Sequence, residues 1–166
     1  MDWRRIRLAA PALALLAAWP ASAQVERTAE HDYRVVTIAD DLVNPWGMAF
    51  LPDGDLLVTE RPGRLRIIRD GRLLPDPVPG VPDVFAQGQG GLLDVAIHPA
   101  FATNRWVYLT YSAGTTRANR TTLARAKIDP ALTRLSGLQV LFQVNRLKSG
   151  GQHFGSRLLW LPDGTP

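Results

Sequence analysis

Three stretches of the chain share one pattern: PWGMAFLPDG (45–54), LLDVAIHPAF (92–101) and SRLLWLPDG (156–164). Each is an apolar run that ends in a proline. Pro52, Pro99 and Pro162 stand 47 and 63 residues apart. Proline cannot donate to a sheet ladder, so it marks where a strand stops. Recurrence on this scale, with turn residues between the copies and little helical periodicity, restricts the chain to repeated β units.

The stretch after the second copy shows what the unit is. LLDVAIHP is followed by RWVYLTYS (105–112), TTLARAKID (121–129) and GLQVLFQVN (137–145). Four strands in meander order make one propeller blade. A first blade reads PWGMAFLP, DLLVTER, GRLRIIRDG and a proline-broken outer segment around PVPGVPDVF (77–85). Asp53-Gly54 and Asp70-Gly71 supply the turn chemistry that antiparallel neighbours need. The predicted fold class is all-β, a β-propeller of which the chain holds two blades and the start of a third. A β-sandwich is the alternative, but it does not predict the proline-terminated copies. YRVVTIA (33–39) reads as a strand suited to completing a final blade.

In a propeller, the loops that lead into successive inner strands open on one face. Gln89 lies ten residues before Pro99 and Gln152 ten before Pro162, with His153 beside it. GQGG (88–91) and GGQH (150–153) are therefore predicted at equivalent places, with Gln89, Gln152 and His153 converging. Asp94 and Arg157, each five residues before its proline, are predicted to pair. His98 precedes a proline at a strand end and reads as structural, and His31 lies in a loose N-terminal segment. Trp46, Trp106 and Trp160 read as packing between blades, and Asn119-Arg120-Thr121 as a hairpin tip.

The chain opens with the three-part layout of a secretory leader. Arg4, Arg5 and Arg7 form a basic head, Leu8 to Trp19 an apolar middle, and Ala21-Ser22-Ala23 an A-x-A exit. The expected organisation is a leader over 1–23, an N-terminal segment over 24–41 and a propeller portion over 42–166, in a periplasmic or secreted protein. The apolar run is short and holds a proline, so no membrane span is expected after cleavage. Loss of the leader lowers the formal charge from +4 to +2. The remaining arginines are dispersed without a basic run, which argues against a nucleic-acid partner. With no cysteine, thiolate metal ligands, a cysteine nucleophile and disulfides are all excluded.

Taken together, NPWGMAFLPDGDLLVTERPGRLR, GQGGLLDVAIHP, FATNRWVYLTYS and SGGQHFGSRL resemble the glucose/sorbosone dehydrogenase family, in its soluble aldose sugar dehydrogenase branch. The resemblance runs from about Leu42 to the last residue. It implies an exported six-bladed propeller that uses pyrroloquinoline quinone (PQQ) and calcium to oxidise aldose sugars, passing electrons to an acceptor it does not specify. It implies His153 as the general base and Gln89 and Gln152 as cofactor-binding residues, with no metal ligand in this chain and the calcium ligands expected in a missing C-terminal part. Gln152 falls where the soluble glucose dehydrogenases carry an aspartate. An amide can orient an imidazole but cannot stabilise its charged form as a carboxylate does.

Oxidising an anomeric hydroxyl requires a base for the O–H proton while hydride leaves the adjacent carbon, and an ordinary imidazole, titrating at about pH 6.5, suits that task. Six blades of about 40–50 residues each need about 240–300 residues. The chain after Ala23 has 143, so it reads as an N-terminal portion expected to be inactive alone. Two other functions fit an exported propeller: a non-enzymatic binding module using the same mouth, and a calcium-dependent lactonase. The lactonase would be expected to place acidic ligands where this chain has Gln and His.

Overall fold

The structure, a computed structural model, describes residues 25–164. The leader predicted over 1–23 lies outside the described residues. The chain divides into two units, up to Val36 and from Thr37 onward. In the first, β1 (Val25–Arg27) and β2 (Asp32–Arg34) pair antiparallel. The Thr28 hydroxyl closes their turn, donating to the His31 carbonyl at 2.6 Å and accepting from the His31 amide at 3.0 Å. The strand expected over 33–39 ends at Arg34. Val35 and Val36 are more than half exposed and have no ladder neighbour among the described residues. β-Branched residues favour extended backbone, but a ladder also needs a neighbouring strand, and exposed N–H and C=O groups can be met by water instead.

The second unit holds two four-stranded antiparallel sheets, each a meander in chain order. The first contains β3 (Pro45–Phe50), β4 (Leu56–Glu60), β5 (Arg64–Arg69) and β6 (Arg72–Leu73). The second contains β7 (Leu92–Ile97), β8 (Trp106–Gly114), β9 (Asn119–Ile128) and β10 (Leu135–Gln143). A four-residue helix, α1 (Phe101–Asn104), sits between β7 and β8. Asp70 and Gly71 both have positive φ and join β5 to β6 through a two-residue turn. The outer segment of the first blade pairs only at β6 and at Val78, whose N–H reaches the Leu65 carbonyl at 2.8 Å. Prolines 75, 77, 79 and 82 remove the donors a longer strand would need.

One apolar core joins the sheets, with Leu57, Leu65 and Ile67 from the first packed with Leu92, Val107, Leu109 and Ala124 from the second. Burying a side chain of this size stabilises the fold by about 1.5–3 kcal/mol each.

A repeated hydrogen bond fixes the distance between blades. The Thr59 hydroxyl on β4 accepts from Gly47 N–H at 2.9 Å and donates across to the Leu93 carbonyl at 2.5 Å. The Thr110 hydroxyl on β8 accepts from Asp94 N–H at 2.9 Å and donates across to the Ser156 carbonyl at 3.1 Å. Gly47 and Asp94 both lie five residues before their prolines, and Leu93 and Ser156 both lie six before theirs. The third copy thus sits where the next inner strand belongs. It is not itself a strand: residues 156–161 form no ladder among the described residues. Its polar groups are met instead by Thr110, by Asp94 and by the Trp160 indole N–H, which donates to the Ile97 carbonyl at 2.9 Å.

Trp160 and Trp46 each reach a residue of another copy or blade, as expected. Trp160 packs edge-on against Tyr108 and His98, and Trp46 lies beneath the Arg157 guanidinium at 5.1 Å. Trp106 does not; it lies within its own sheet under Arg125 and Lys127. His98 is structural as expected. Its Nδ1 accepts from Ala100 N–H at 2.9 Å and lies 2.9 Å from Asn104 Nδ2.

Candidate functional site

Two loops meet where the blades adjoin, one carrying GQGG (88–91) and the other GGQH (150–153). The Gln89 N–H donates to the Gly151 carbonyl at 2.7 Å, and the Gln89 side-chain oxygen accepts from His153 N–H at 2.9 Å. Residues 64 positions apart are therefore held in direct contact, which brings the two loops together at one place. The glycines make this approach possible. A Cβ on Gly88 would stand 2.4 Å from the Gly151 carbonyl oxygen, and one on Gly151 would stand 2.7 Å from that of Gln87. His153 is held at φ 61°, in the left-handed region that non-glycine residues seldom adopt.

The expectation for Gln89 and His153 is met in position. Gln152 behaves differently: its backbone carbonyl accepts from Lys148 Nζ at 2.5 Å, and its side chain makes no hydrogen bond to the His153 ring among the described residues. The predicted Asp94–Arg157 pair forms. Arg157 Nη1 lies 2.8 Å from Asp94 Oδ1, and Leu158 N–H donates to Asp94 Oδ2 at 2.7 Å. Asp94 is buried beside Gly47, where a Cβ would come within 2.7 Å of its carboxylate. It anchors the chain just past His153.

Two residues that govern this loop escaped the sequence reading. Asn119 is not a hairpin tip; it is fully buried, and its Nδ2 donates to the Thr115 and Gly150 carbonyls at 2.8 and 2.9 Å. Its backbone exchanges both hydrogen bonds with Lys148. Lys148 Nζ then reaches Asn119 Oδ1 at 3.0 Å and lies 3.5 Å from the centre of the Phe154 ring, which in turn packs against Phe85. Burial with full hydrogen bonding is not visible in an Asn-Arg-Thr triplet. The signal available in sequence was charge: from residue 130 to 162 there is no Asp or Glu at all.

Arg120, Thr121, Val144, Arg146, Lys148 and His153 line a groove of about 350 Å³. The site therefore offers an exposed imidazole on a pinned loop, a free glutamine amide nitrogen and a cationic wall.

The family model of glucose/sorbosone dehydrogenases matches residues 42–165. This chain belongs to that family. It is 53% identical over 152 residues to uncharacterized protein slr1608 of Synechocystis, covering 87% of this chain and 36% of that protein. It is 40% identical over 128 residues to the aldose sugar dehydrogenase YliI of Escherichia coli, covering 76% and 34%. Among solved structures it resembles the PQQ-bound aldose sugar dehydrogenase of Streptomyces coelicolor, with a TM-score of 0.56 and 30% identity over 75% of this chain and 35% of that one. The chain thus spans about a third of the length of these relatives, and its two sheets are blades of a partial β-propeller.

The donor set suits part of a quinone site. Gln89 Nε2 has no partner among the described residues, and a Cβ at Gly155 would meet nothing within 4 Å, leaving room for a flat group beside His153. Calcium fares differently, since no group of three His, Asp or Glu converges among the described residues. No helix among them is long and apolar enough to cross a membrane.

Proposed function

We propose that the chain builds the base-bearing portion of a PQQ-dependent aldose dehydrogenase that is exported to the periplasm or beyond after loss of its leader. The observation that carries this reading is the bond between Gln89 and the backbone of His153, which fixes the base on a loop shared by two blades, in a chain of this family. His153 is the group that takes the anomeric O–H proton. Its peptide N–H is tied to Gln89, so the ring is presented by a backbone that cannot swing away. PQQ, when bound, supplies the acceptor for the hydride that leaves the anomeric carbon. Gln89 donates its free amide to the quinone, while the Asn119–Lys148 clamp and Asp94 hold the loop from either side. Preorganising a base in this way avoids the cost of ordering it at each turnover.

The test is His153→Ala in the full chain, loaded with PQQ and assayed on glucose with an artificial acceptor. Removing a general base costs about 10²–10⁴-fold in turnover, with quinone binding retained. Turnover within a factor of two of the unaltered protein would remove His153 from that role. Gln89→Ala is expected to weaken the quinone titration as well as turnover, because it loses the donor and loosens the loop.

A further inference from the structure

The groove beside His153 has a lopsided set of hydrogen-bonding groups. Arg120 and Arg146 have no acceptor for their guanidinium groups among the described residues, and Lys148 meets two neutral oxygens, Asn119 Oδ1 and the Gln152 carbonyl, and the Phe154 ring, but no carboxylate. Arg and Lys side chains donate and never accept. Besides Thr121 and the imidazole, no lining side chain can accept. A neutral sugar presents hydroxyls that need acceptors as well as donors, and protein sites normally meet them with carboxylates or amides. Among the described residues neither lines the groove.

Carboxylates are also scarce at longer range, although Asp94 pairs with Arg157. Between Val95 and Pro162 there are nine Lys and Arg but a single acidic residue, Asp129. That carboxylate is consumed locally, accepting from Thr133 N–H at 2.7 Å, Thr133 Oγ1 at 3.0 Å and Arg134 N–H at 2.7 Å. Three cations gathered around one groove repel one another, a cost an anion would relieve. Arginine suits the role because its planar fork matches carboxylate and phosphate oxygens two at a time.

The geometry points to an anion subsite in this groove that binds the carboxylate or phosphate of an acidic sugar, a uronic acid or a sugar phosphate, next to the base. This deepens the dehydrogenase reading and rests on it for the sugar; the anion site itself rests on Arg120, Arg146 and Lys148 alone.

Calorimetric titration of the full chain without cofactor, using glucuronate, glucose 6-phosphate, glucose and inorganic phosphate, tests it. One acidic sugar should bind at least ten-fold more tightly than glucose and than phosphate alone, weaken with added salt, and shift the His153 ring resonances in NMR spectra. Arg120→Gln and Arg146→Gln should each weaken it by about ten-fold or more, the scale of a lost charged hydrogen bond. Arg120→Lys should restore part of that loss. Acidic sugars that bind no better than glucose, or equally well to the glutamine variants, overturn the inference. So does phosphate alone binding as tightly as the acidic sugars. A PQQ titration weakened by the same two substitutions, with no preference for acidic sugars, assigns the groove to the carboxylates of the cofactor and also overturns it. Turnover of glucose with PQQ is measured on the same preparation. Oxidation without anion binding leaves the dehydrogenase reading standing and this inference fallen; anion binding without oxidation does the reverse.

Discussion

The two blades handle positive charge in opposite ways. In the first, arginines meet carboxylates: Arg64 and Arg66 reach Glu60, and Arg69 reaches Asp55 at 2.7 Å. In the second blade and the copy that follows, cations rest on rings. Arg105 lies over Phe101, Arg125 and Lys127 over Trp106, Lys148 over Phe154 and Arg157 over Trp46. The composition drives the difference. Residues 42–94 hold seven acidic and five basic side chains, whereas residues 95–162 hold one and nine. A carboxylate neutralises the cation it binds. A ring attracts the cation through its quadrupole but leaves the charge intact. The first blade therefore spends its charges on its own stability, and the second leaves its cations without carboxylate partners, apart from Arg157 on Asp94.

The sharpest break in that contrast is Glu60→Gln. The Glu60 side chain is fully enclosed and accepts from Arg64 Nε at 2.5 Å and Val43 N–H at 2.6 Å, with Arg66 Nη1 at 3.4 Å. Its removal leaves Arg66 buried without a counter-charge. The expected loss is about 3 kcal/mol, the low end for an enclosed pair because Arg64 is partly in water. Burial alone would push the Glu60 carboxyl up. The Arg64 and Val43 hydrogen bonds and the positive charge of Arg64 outweigh it, and hold the group below the usual glutamate value of 4.5. A carboxylate depressed in the folded state adds stability that is complete above its unfolded value and lost as pH falls through the folded one. Unfolding by denaturant from pH 7 to pH 3 should therefore show the gap between the parent and Glu60→Gln closing below about pH 4.5. A gap constant across that range would mean that Glu60 does not carry this charge.

The first blade was also the more legible half of the sequence. Its turns announce themselves as Asp-Gly pairs, and its apolar runs read as strands that burial bears out, β4 buried throughout and β5 at its four central residues. The proline-terminated copies located Gln89 and His153 correctly, because loop position follows from strand register. What stayed hidden depends on contacts between residues far apart in the chain. Asn119 looked like a turn residue because a buried amide and an exposed one share the same letter. Trp106 looked like an inter-blade anchor because nothing local says that Arg125 and Lys127 will cover it. The run 33–39 has the residues of a strand, yet propensity cannot supply the neighbour a ladder needs. The arginines seemed dispersed because two of them, Arg120 and Arg146, are gathered with Lys148 around His153 only by the meander of β9 and β10 and the loop beyond.

A milder test falls on Asp94, where the two regimes meet. Its buried carboxylate holds Arg157 with one oxygen and the Leu158 N–H with the other, while Arg157 also covers Trp46. Arg157→Ala should cost less than about 1 kcal/mol, since that side chain is 69% exposed. Asp94→Ala should cost about 1–3 kcal/mol more, because a backbone donor is left unpaired. The double variant should fall short of the sum of the two, and strictly additive losses would show that no coupling runs through the ion pair. In the PQQ-loaded full chain, Asp94→Ala is also expected to lower turnover through looser placement of His153, with the pH profile of turnover unchanged in shape.

The smallest effect, and the one that separates the two regimes most directly, lies at Trp106. Arg125 stands 4.3 Å and Lys127 5.2 Å from the centre of that ring. A double-mutant cycle of Trp106→Leu with Arg125→Gln should return a coupling of about 0.5–1 kcal/mol. The leucine keeps most of the apolar cover, and the glutamine keeps a polar end able to meet Gln139, which Arg125 Nε reaches at 3.1 Å. A parallel cycle on Asp55 and Arg69 probes an ion pair of the first blade whose arginine is 42% exposed and whose carboxylate is largely enclosed. Salt screens the attraction between two net charges in water, whereas the ring carries no net charge for the counter-ions to mask. Raising salt from about 0.05 to 1 M should therefore erode the Asp55–Arg69 coupling and leave most of the Trp106–Arg125 coupling in place. If both couplings fade together, the cations of the second blade are held by ordinary charge pairing, and the contrast between the blades reduces to a count of acidic residues.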